Sequence, residues 1–312
     1  MRICSLVPGA TEVVMALGLA DSLVGISHEC DYPPAVRRVP VMVRPAVESE
    51  GTDSADIDRQ VKALTSSGQP LYRVDERALA EARPDIILTQ DICHVCAVTP
   101  HELERAMQSL PRKPQILTVS PHSLTEVIND VERIGAALGA DGRGRDLAGS
   151  LRSRMAAVRE GSMRQPRPRI ACLEWLSPLY VGGHWVPEMV DIAGGFDVLG
   201  HAGEPSRQVT REEVRAVAPE ILIVMPCGFS LARTLSELTV LCREDSASSR
   251  LLLSAAKIYV VDAGSYFSRP GPRLVDGLEL LADICAGTMH ADRPSDAVRD
   301  LTGSVCLTGQ SR

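Results

Sequence analysis

The chain reads as an α/β protein of two Rossmann-like lobes with parallel sheets, joined by a single long helix. Three observations lead there. Short β-branched runs alternate with helical patterns, the rhythm of parallel βαβ units. Two stretches of the first half have counterparts, in the same order, in the second half, as an internal repeat requires. Between them lies a polar-faced helical segment rich in Arg, Glu and Ala, the texture of a connecting helix.

Taken in order, Arg2 to Val7 reads as a buried strand, Pro8-Gly9 as a turn, and Ala10 to Leu19 as a helix closed near Gly18, because glycine takes the left-handed conformation that ends a helix without steric cost. Leu23 to Ser27 is the second strand. Ala78 to Arg83 forms a short helix stopped by Pro84, since proline disfavours helical geometry in the residue before it. The strand Asp85 to Gln90 follows, then the cysteine loop CHVC, Cys93 to Cys96. A helix over 101–110 and a strand from Gln115 to Ser120 complete the first lobe. Ser123 to Leu138 and Arg143 to Arg159 are the linking helical patterns, separated by GADGRG and ended by RQPRPR, after which Ile170 to Glu174 opens a new strand. The second lobe then repeats the first: Glu188 to Gly200 resembles Glu12 to Gly25, and Val214 to Pro226 resembles Leu79 to Gln90. A strand from Lys257 to Asp262 and a helix from Pro270 to Ala286 close it. The expected organisation is a lobe over 1–122, a link over 123–165, a second lobe over 166–290 and a loose tail over 291–312.

A chain of 312 residues with 45% hydrophobic content can bury a core in each lobe. Its net charge of -7 carries no aromatic-interleaved Lys/Arg stripe, so nucleic acid is not expected as a partner. No run approaches the roughly 20 apolar residues that cross a bilayer, and no membrane insertion is expected. The opening MRICSLVPGATEVV places a Pro-Gly turn where a signal peptide keeps its apolar core. Nine scattered cysteines, an odd number, fit reduced thiols. Both features lead to the expectation of a cytoplasmic protein.

In open α/β sheets the loops after the carboxyl ends of the strands hold the ligand. Here those loops are HECDYP, with His28, Glu29, Cys30 and Tyr32; DICHVC, with Cys93 and Cys96; Glu174 and Trp175 with the following GGHWVP, which brings His184 and Trp185; PCGF, with Cys227 and Phe229; and SYFSRPGPR, with Tyr266, Phe267, Arg269 and Arg273. Aromatic residues make up only 3% of the chain, yet five of them gather in the loops of the second lobe, where core packing would have scattered them. Flat apolar rings beside Arg269 and Arg273 suit a large planar ligand with carboxylate or amide edges. His28 and His184 can face such a ligand, whereas His94, His101 and His122 lie in polar runs and are assigned no role. The single CHVC clip is half of what a structural zinc site needs. Pro100 stands between it and the next helix, against a redox pair at a helix start. For Cys30, Cys93, Cys96 and Cys227 both loop packing and ligand contact stay open, while Cys4, Cys172, Cys242 and Cys285 read as small buried hydrophobes.

With these residues the chain resembles the helical-backbone (class III, TroA-like) solute-binding proteins of ABC importers, which serve cobalamin, iron-siderophores, haem and divalent metals. RICSLVPGATEVVMALGLADSLVGIS, ARPDIILTQ, the long linking helix and GGHWVPEMVDIAGG carry the resemblance over most of residues 1–288. HECDYP, CHVCAV, LEW with GHWVPE, PCGF and YFSRPGPR are similar to a cobalamin-binding-protein-like cytosolic subgroup whose members often have no export signal. The resemblance implies two lobes on one rigid helix, a ligand cleft between them and modest closure. In transporter-bound relatives it implies a surface Glu on each lobe that meets the permease, for which the repeat-matched Glu12 and Glu188 are candidates. An ABC permease is expected as a partner only if the chain is exported.

The expected function is binding of a corrinoid such as cobalamin, or a related small-molecule metal chelate. Trp175, Trp185, Phe229, Tyr266 and Phe267 supply walls, Glu174 and Arg269 polar contacts, and His28 or His184 an axial contact to cobalt. A first alternative is a transition metal (Zn, Fe or Cu) or metal cluster held by Cys93, Cys96 and Cys227, with His28, Cys30, Glu174 or His184 completing the shell. A second is a chelatase-like or cofactor-remodelling enzyme. No nucleophile, base and orienter stand at a diagnostic spacing, so no catalytic residue is assigned and no enzyme is expected.

Overall fold

The computed structural model describes residues 1–49, 51–92, 100–108, 110–163, 165–245, 251, 255–288 and 294–303. It divides into two compact units, the first comprising Met1–Pro121, Thr125–Arg152 and Pro270–Pro272, the second His122–Leu124, Ser153–Arg269 and Arg273–Arg312.

Unit 1 runs β1 (Ile3–Ser5), α1 (Pro8–Ala16), β2 (Leu23–Ser27), β3 (Val41–Pro45), α2 (Ser54–Ser66), β4 (Tyr72–Val74), α3 (Glu76–Ala82), β5 (Ile86–Gln90), α4 (Pro100–Met107) and β6 (Gln115–Val119). Its six strands lie in the order β4-β3-β2-β1-β5-β6. All neighbours are parallel except β3 and β4. Central β1 sets Ile3 against Leu23 on one side and Ile86 on the other. Every residue of β5 is buried, as a near-continuous apolar run in a parallel sheet covered on both faces requires. Helix α1 begins on Pro8, whose missing N–H is harmless in a first turn. The Asp75 side chain caps α3 by accepting from the Ala78 N–H at 2.9 Å; Pro84 disfavours continuation of the helix, and Arg83 ends it in the left-handed conformation at φ 43°. Leu6, Met42, Leu79, Ile87, Leu103 and Met107 share one core.

Unit 2 runs β7 (Arg169–Leu176), β8 (Leu179–Val181), α7 (Val186–Ile192), β9 (Phe196–Asp197), β10 (Arg207–Gln208), α8 (Arg211–Ala216), β11 (Ile221–Val224), α9 (Leu231–Glu244), β12 (Lys257–Val261), α10 (Ala263–Tyr266), α11 (Leu274–Ala286) and β13 (Val298–Asp300). The order is β10-β8-β7-β11-β12-β13, with β9 paired to β7. The strands β9, β7, β11 and β12 are mutually parallel where they pair, and β8, β10 and β13 are antiparallel additions. Thr210 and Glu213 cap α8 reciprocally, the hydroxyl accepting from the Glu213 N–H and the carboxylate from the Thr210 N–H. Helix α11 lies so close to α10 that a β-carbon on Gly277 would overlap the Tyr266 carbonyl oxygen.

The internal repeat has a structural counterpart. The triplet β2-β1-β5 of unit 1 and the triplet β9-β7-β11 of unit 2 each place one parallel strand on either side of a central one. The sequence-based expectation needs four corrections. Both sheets are mixed, because short antiparallel strands close their edges. Strands β3, β4, β8 and β10 and helices α2, α9 and α10 were not anticipated. The link is two helices, α5 (Leu124–Ala137) and α6 (Asp141–Ser162); α6 starts inside the supposed GADGRG breaker because Asp141 supplies the negative charge favoured in a first turn, and the unit boundary falls within α6 after Arg152. Finally, the tail is not loose throughout: β13 pairs Val298 with Val261 and Asp300 with Tyr259.

Candidate functional site

The carboxyl end of β7 delivers Glu174 and Trp175, and that of β11 delivers Cys227 and Phe229. Backbone bonds lock these loops together: Cys227 N–H donates to Glu174 O at 2.9 Å, and Gly264 N–H donates to Phe229 O at 2.9 Å. The Ser268 hydroxyl accepts from Gly228 N–H at 3.0 Å. Half-buried Trp175 meets Phe229 edge to face, ring centroids 5.3 Å apart, a geometry worth about 0.5–1.5 kcal/mol beyond area burial. The guanidinium of Arg233 lies over the Phe229 ring at 3.6 Å, so the phenyl ring contacts both the indole and a cation.

The other aromatics divide by burial. Trp185, Phe229 and Phe267 are 6%, 2% and 2% exposed, and the Trp185 indole N–H donates to Phe267 O at 2.8 Å. They were expected as ligand walls; in this structure they pack inside the unit. Trp175 and Tyr266 are half-buried, as are Arg269 and Arg273. Burial, with Asp262 next, raises the Tyr266 phenol above its ordinary range, so it stays neutral. Tyr266 also lines a pocket of about 140 Å³ with Asp276, Leu280, Pro294 and Ala297, smaller than the roughly 300–1,000 Å³ of an ordinary ligand pocket.

Glu174 acts as a brace. Its carboxylate accepts from Gly183 N–H at 3.2 Å and from the Ser206 hydroxyl at 2.8 Å, pinning the loop that carries His184. The backbone of His184 is left-handed at φ 51°, uncommon for a residue with a β-carbon. Two bonds hold it there: its N–H donates to Glu204 O at 2.6 Å and its carbonyl accepts from Gly203 N–H at 2.9 Å. Its ring stacks with that of His122, centroids 5.9 Å apart at 28°, and approaches Trp185 at 5.7 Å. Burial first, then the neighbouring His122, hold the His184 imidazole below its usual pKa. His122, to which no role was assigned, is thus brought beside His184.

In unit 1, His28 follows β2, its N–H bonded to Val43 O. Its Nε2 lies 3.2 Å from Glu29 Oε1 and its ring 6.0 Å from that of Tyr72, while its buried Nδ1 has no hydrogen-bond partner. Cys30 is 4% exposed. Its sulfur lies 3.1 Å from Thr11 Oγ1, which donates to Ser5 Oγ at 2.8 Å, so this thiol packs in a buried polar knot at the start of α1. Cys227 is half-buried, and Cys93, Cys96 and His94 lie outside the described residues. Among the described residues no group of three or more His, Cys, Asp or Glu is arranged to hold a metal ion. Burial raises the Cys4 and Cys172 thiols far above the ordinary range and pushes that of Cys285 up to about 12, which keeps all three unreactive.

Glu12 and Glu188, considered as surface contacts for a permease, are not presented as such. Glu12 is 5% exposed, and Glu188 is half-buried with its carboxylate accepting from the Leu124 N–H at 2.6 Å, one of the donors that a helix start leaves unmatched. Two side chains near the site went unremarked in the sequence. Arg233 sits in the first turn of α9, past the Ser230 cap that separates it from Phe229, so no helical spacing links the two in the sequence, and Ser206 has no signal either.

Residues 3–241 match the family model described as Periplasmic binding protein. A vitamin B12-binding protein of Vibrio cholerae is 24% identical over 283 residues, covering 89% of this chain and 86% of its own. An uncharacterised ABC transporter substrate-binding lipoprotein of Bacillus subtilis is 23% identical over 294 residues, covering 90% of this chain and 79% of its own. Among solved structures, the periplasmic haem-binding protein of Roseiflexus superposes with a TM-score of 0.66 at 21% identity, over 92% of this chain and 98% of its own. The cytoplasmic placement is thereby overturned: the family and the haem-binding structure are described as periplasmic and the Bacillus relative as a lipoprotein. That expectation rested on the N-terminal stretch and on thiol parity, neither of which reports where relatives of this fold are delivered.

Proposed function

Because the chain belongs to the periplasmic binding protein family, we propose that it is an extracytoplasmic solute-binding protein for a planar metal macrocycle, a corrinoid of the cobalamin type in the first instance, passed on to an ABC permease. The observation that carries this reading is Trp175, a half-buried indole at the carboxyl edge of β7, backed by the Phe229 ring and the Arg233 guanidinium in a chain almost devoid of aromatics. A flat apolar face with cationic side chains nearby suits a macrocycle with polar rim groups. The vitamin B12-binding relative supports the corrinoid; the haem-binding structure favours haem as a second reading. Binding and release account for the arrangement without a chemical step, and no enzymatic activity is proposed.

The test is a titration of the purified protein with cyanocobalamin and, separately, haemin, followed by tryptophan quenching and the ligand spectrum. Saturable corrinoid binding, weakened by roughly tenfold or more in Trp175→Ala, an interaction loss of about 1.4 kcal/mol or greater, is the expected result. Haemin binding alone selects the second reading, and binding of neither ligand overturns both.

A further inference from the structure

The juxtaposition of two histidines distant in sequence carries a separate capacity. We propose that His122 and His184 together bind a divalent transition-metal ion of the Ni²⁺, Cu²⁺ and Zn²⁺ group, one nitrogen from each ring, whether the ion arrives hydrated or in a small open chelate.

Three observations support the pair. The rings lie 5.9 Å apart between centroids and are inclined by only 28°, which sets two imidazoles, the donors that zinc takes at roughly 2.0–2.1 Å, side by side. His184 is held by its two backbone bonds to the 203–204 loop in a left-handed conformation, and such a strained, over-determined residue is a pointer to a functional constraint. His122 is exposed, which lets an ion enter from solvent. Imidazole suits these borderline ions, and affinity for such a site rises from Ni²⁺ to Cu²⁺.

The donor count limits what the site can be. No third His, Cys, Asp or Glu joins the pair among the described residues, so a four-coordinate ion keeps two positions for water or for the donor atoms of a small chelator. This is not the closed set of a structural zinc site. A planar macrocycle is also a poor partner for both rings at once, because its two open positions lie on opposite faces. The inference therefore does not depend on the macrocycle reading, and a protein can satisfy either one alone.

The experiment is calorimetric titration of tag-free, chelator-stripped protein with NiCl₂, CuCl₂ and ZnCl₂, in the wild type and in His122→Gln, His184→Gln, His201→Gln and the Cys93→Ser/Cys96→Ser double variant. The expected result is one ion per chain, with the Cu²⁺ affinity above the Ni²⁺ affinity, a loss of roughly tenfold or more in each of the first two variants, and unchanged binding in the last two. His122 is exposed, so His122→Gln reads the site without threatening the fold; circular dichroism checks His184→Gln. Saturable binding that survives both histidine variants, binding lost in the cysteine variant, or no saturable binding by the wild type overturns the proposal. Haemin and cobalamin titrations of the same samples separate its failure from that of the macrocycle reading.

Discussion

Replacing Gly277 by alanine sets two opposed effects against each other in a single helix. Gly277 lies inside α11, its N–H donating to Arg273 O at 3.0 Å. On propensity alone, alanine at an interior helical position stabilises by about 0.5–1 kcal/mol. Here the new β-carbon would overlap the Tyr266 carbonyl oxygen, with the Tyr266 carbonyl carbon at 3.1 Å and Phe267 Cε1 at 3.2 Å. The nearest obstacle is backbone, which cannot swing aside as a side-chain tip can. Overpacking of this kind costs about 1–3 kcal/mol, so the net loss is about 1 kcal/mol, reaching about 2 if α10 cannot shift. Displacing Tyr266 and Phe267 also loosens the bond from the Trp185 indole to Phe267 O. Both tryptophans of the chain, Trp175 and Trp185, belong to unit 2, so intrinsic fluorescence reports this unit. The assay is denaturant unfolding by fluorescence, with a native-state emission spectrum. Gly161→Ala is the control within unit 2: Gly161 is exposed in α6 with nothing within 4 Å of its would-be β-carbon, so it should stabilise by about 0.5–1 kcal/mol. A midpoint shift of the same sign in both variants would refute the packing argument.

Other outcomes follow from local features. Thr210→Ala removes the hydroxyl half of the α8 capping box and should cost about 1 kcal/mol in the denaturant midpoint of unit 2. Arg154→Ala deletes hydrogen-bonded ion pairs from α6 to Asp276 at 2.6 Å and Glu279 at 2.8 Å on α11; all three side chains are partly solvated, so the loss should be about 1 kcal/mol and should shrink in high salt. The His184 imidazole is held below its ordinary value of 6.5. The folded chain then binds that proton less readily than the unfolded chain, so the contribution to stability is full above 6.5 and falls as the pH drops through and below it. Unfolding free energies measured from neutral to acidic pH should therefore show a decline that is shallower in His184→Gln.

The central strands were legible because Ile86–Gln90 and Ile221–Val224 are buried on both faces and carry continuous apolar runs, Ile86–Leu88 in the first and all four residues of the second. Edge strands such as Arg207–Gln208 and Val298–Asp300 are two or three residues long, too short for any period, and exist only because a neighbour offers them hydrogen bonds. Gathering of the aromatics in unit 2 could be read from the sequence; which of them face solvent could not. Trp185 and Trp175 look equivalent in the chain, yet one donates its N–H to a backbone carbonyl inside the unit while the other stays half-buried on a phenyl edge. Cys30 likewise looks like a ligand at the end of a strand until Thr11 and Ser5 enclose it. The meeting of His122 with His184 leaves no periodic trace, since each belongs to a different local pattern.

The left-handed backbone at His184 puts competing selective pressures on one codon. Glycine adopts that conformation freely, while a residue with a β-carbon bears a cost of about 1–2 kcal/mol, so His184→Gly should raise the thermal midpoint of the folded protein. Drift toward greater robustness would thus tend to erase this imidazole, and lineages that keep it forgo an accessible gain in stability. Among related chains, the histidine-to-glycine ratio at this position becomes a gauge of whether the ring is still in use, and a laboratory screen for heat resistance alone should recover glycine there early.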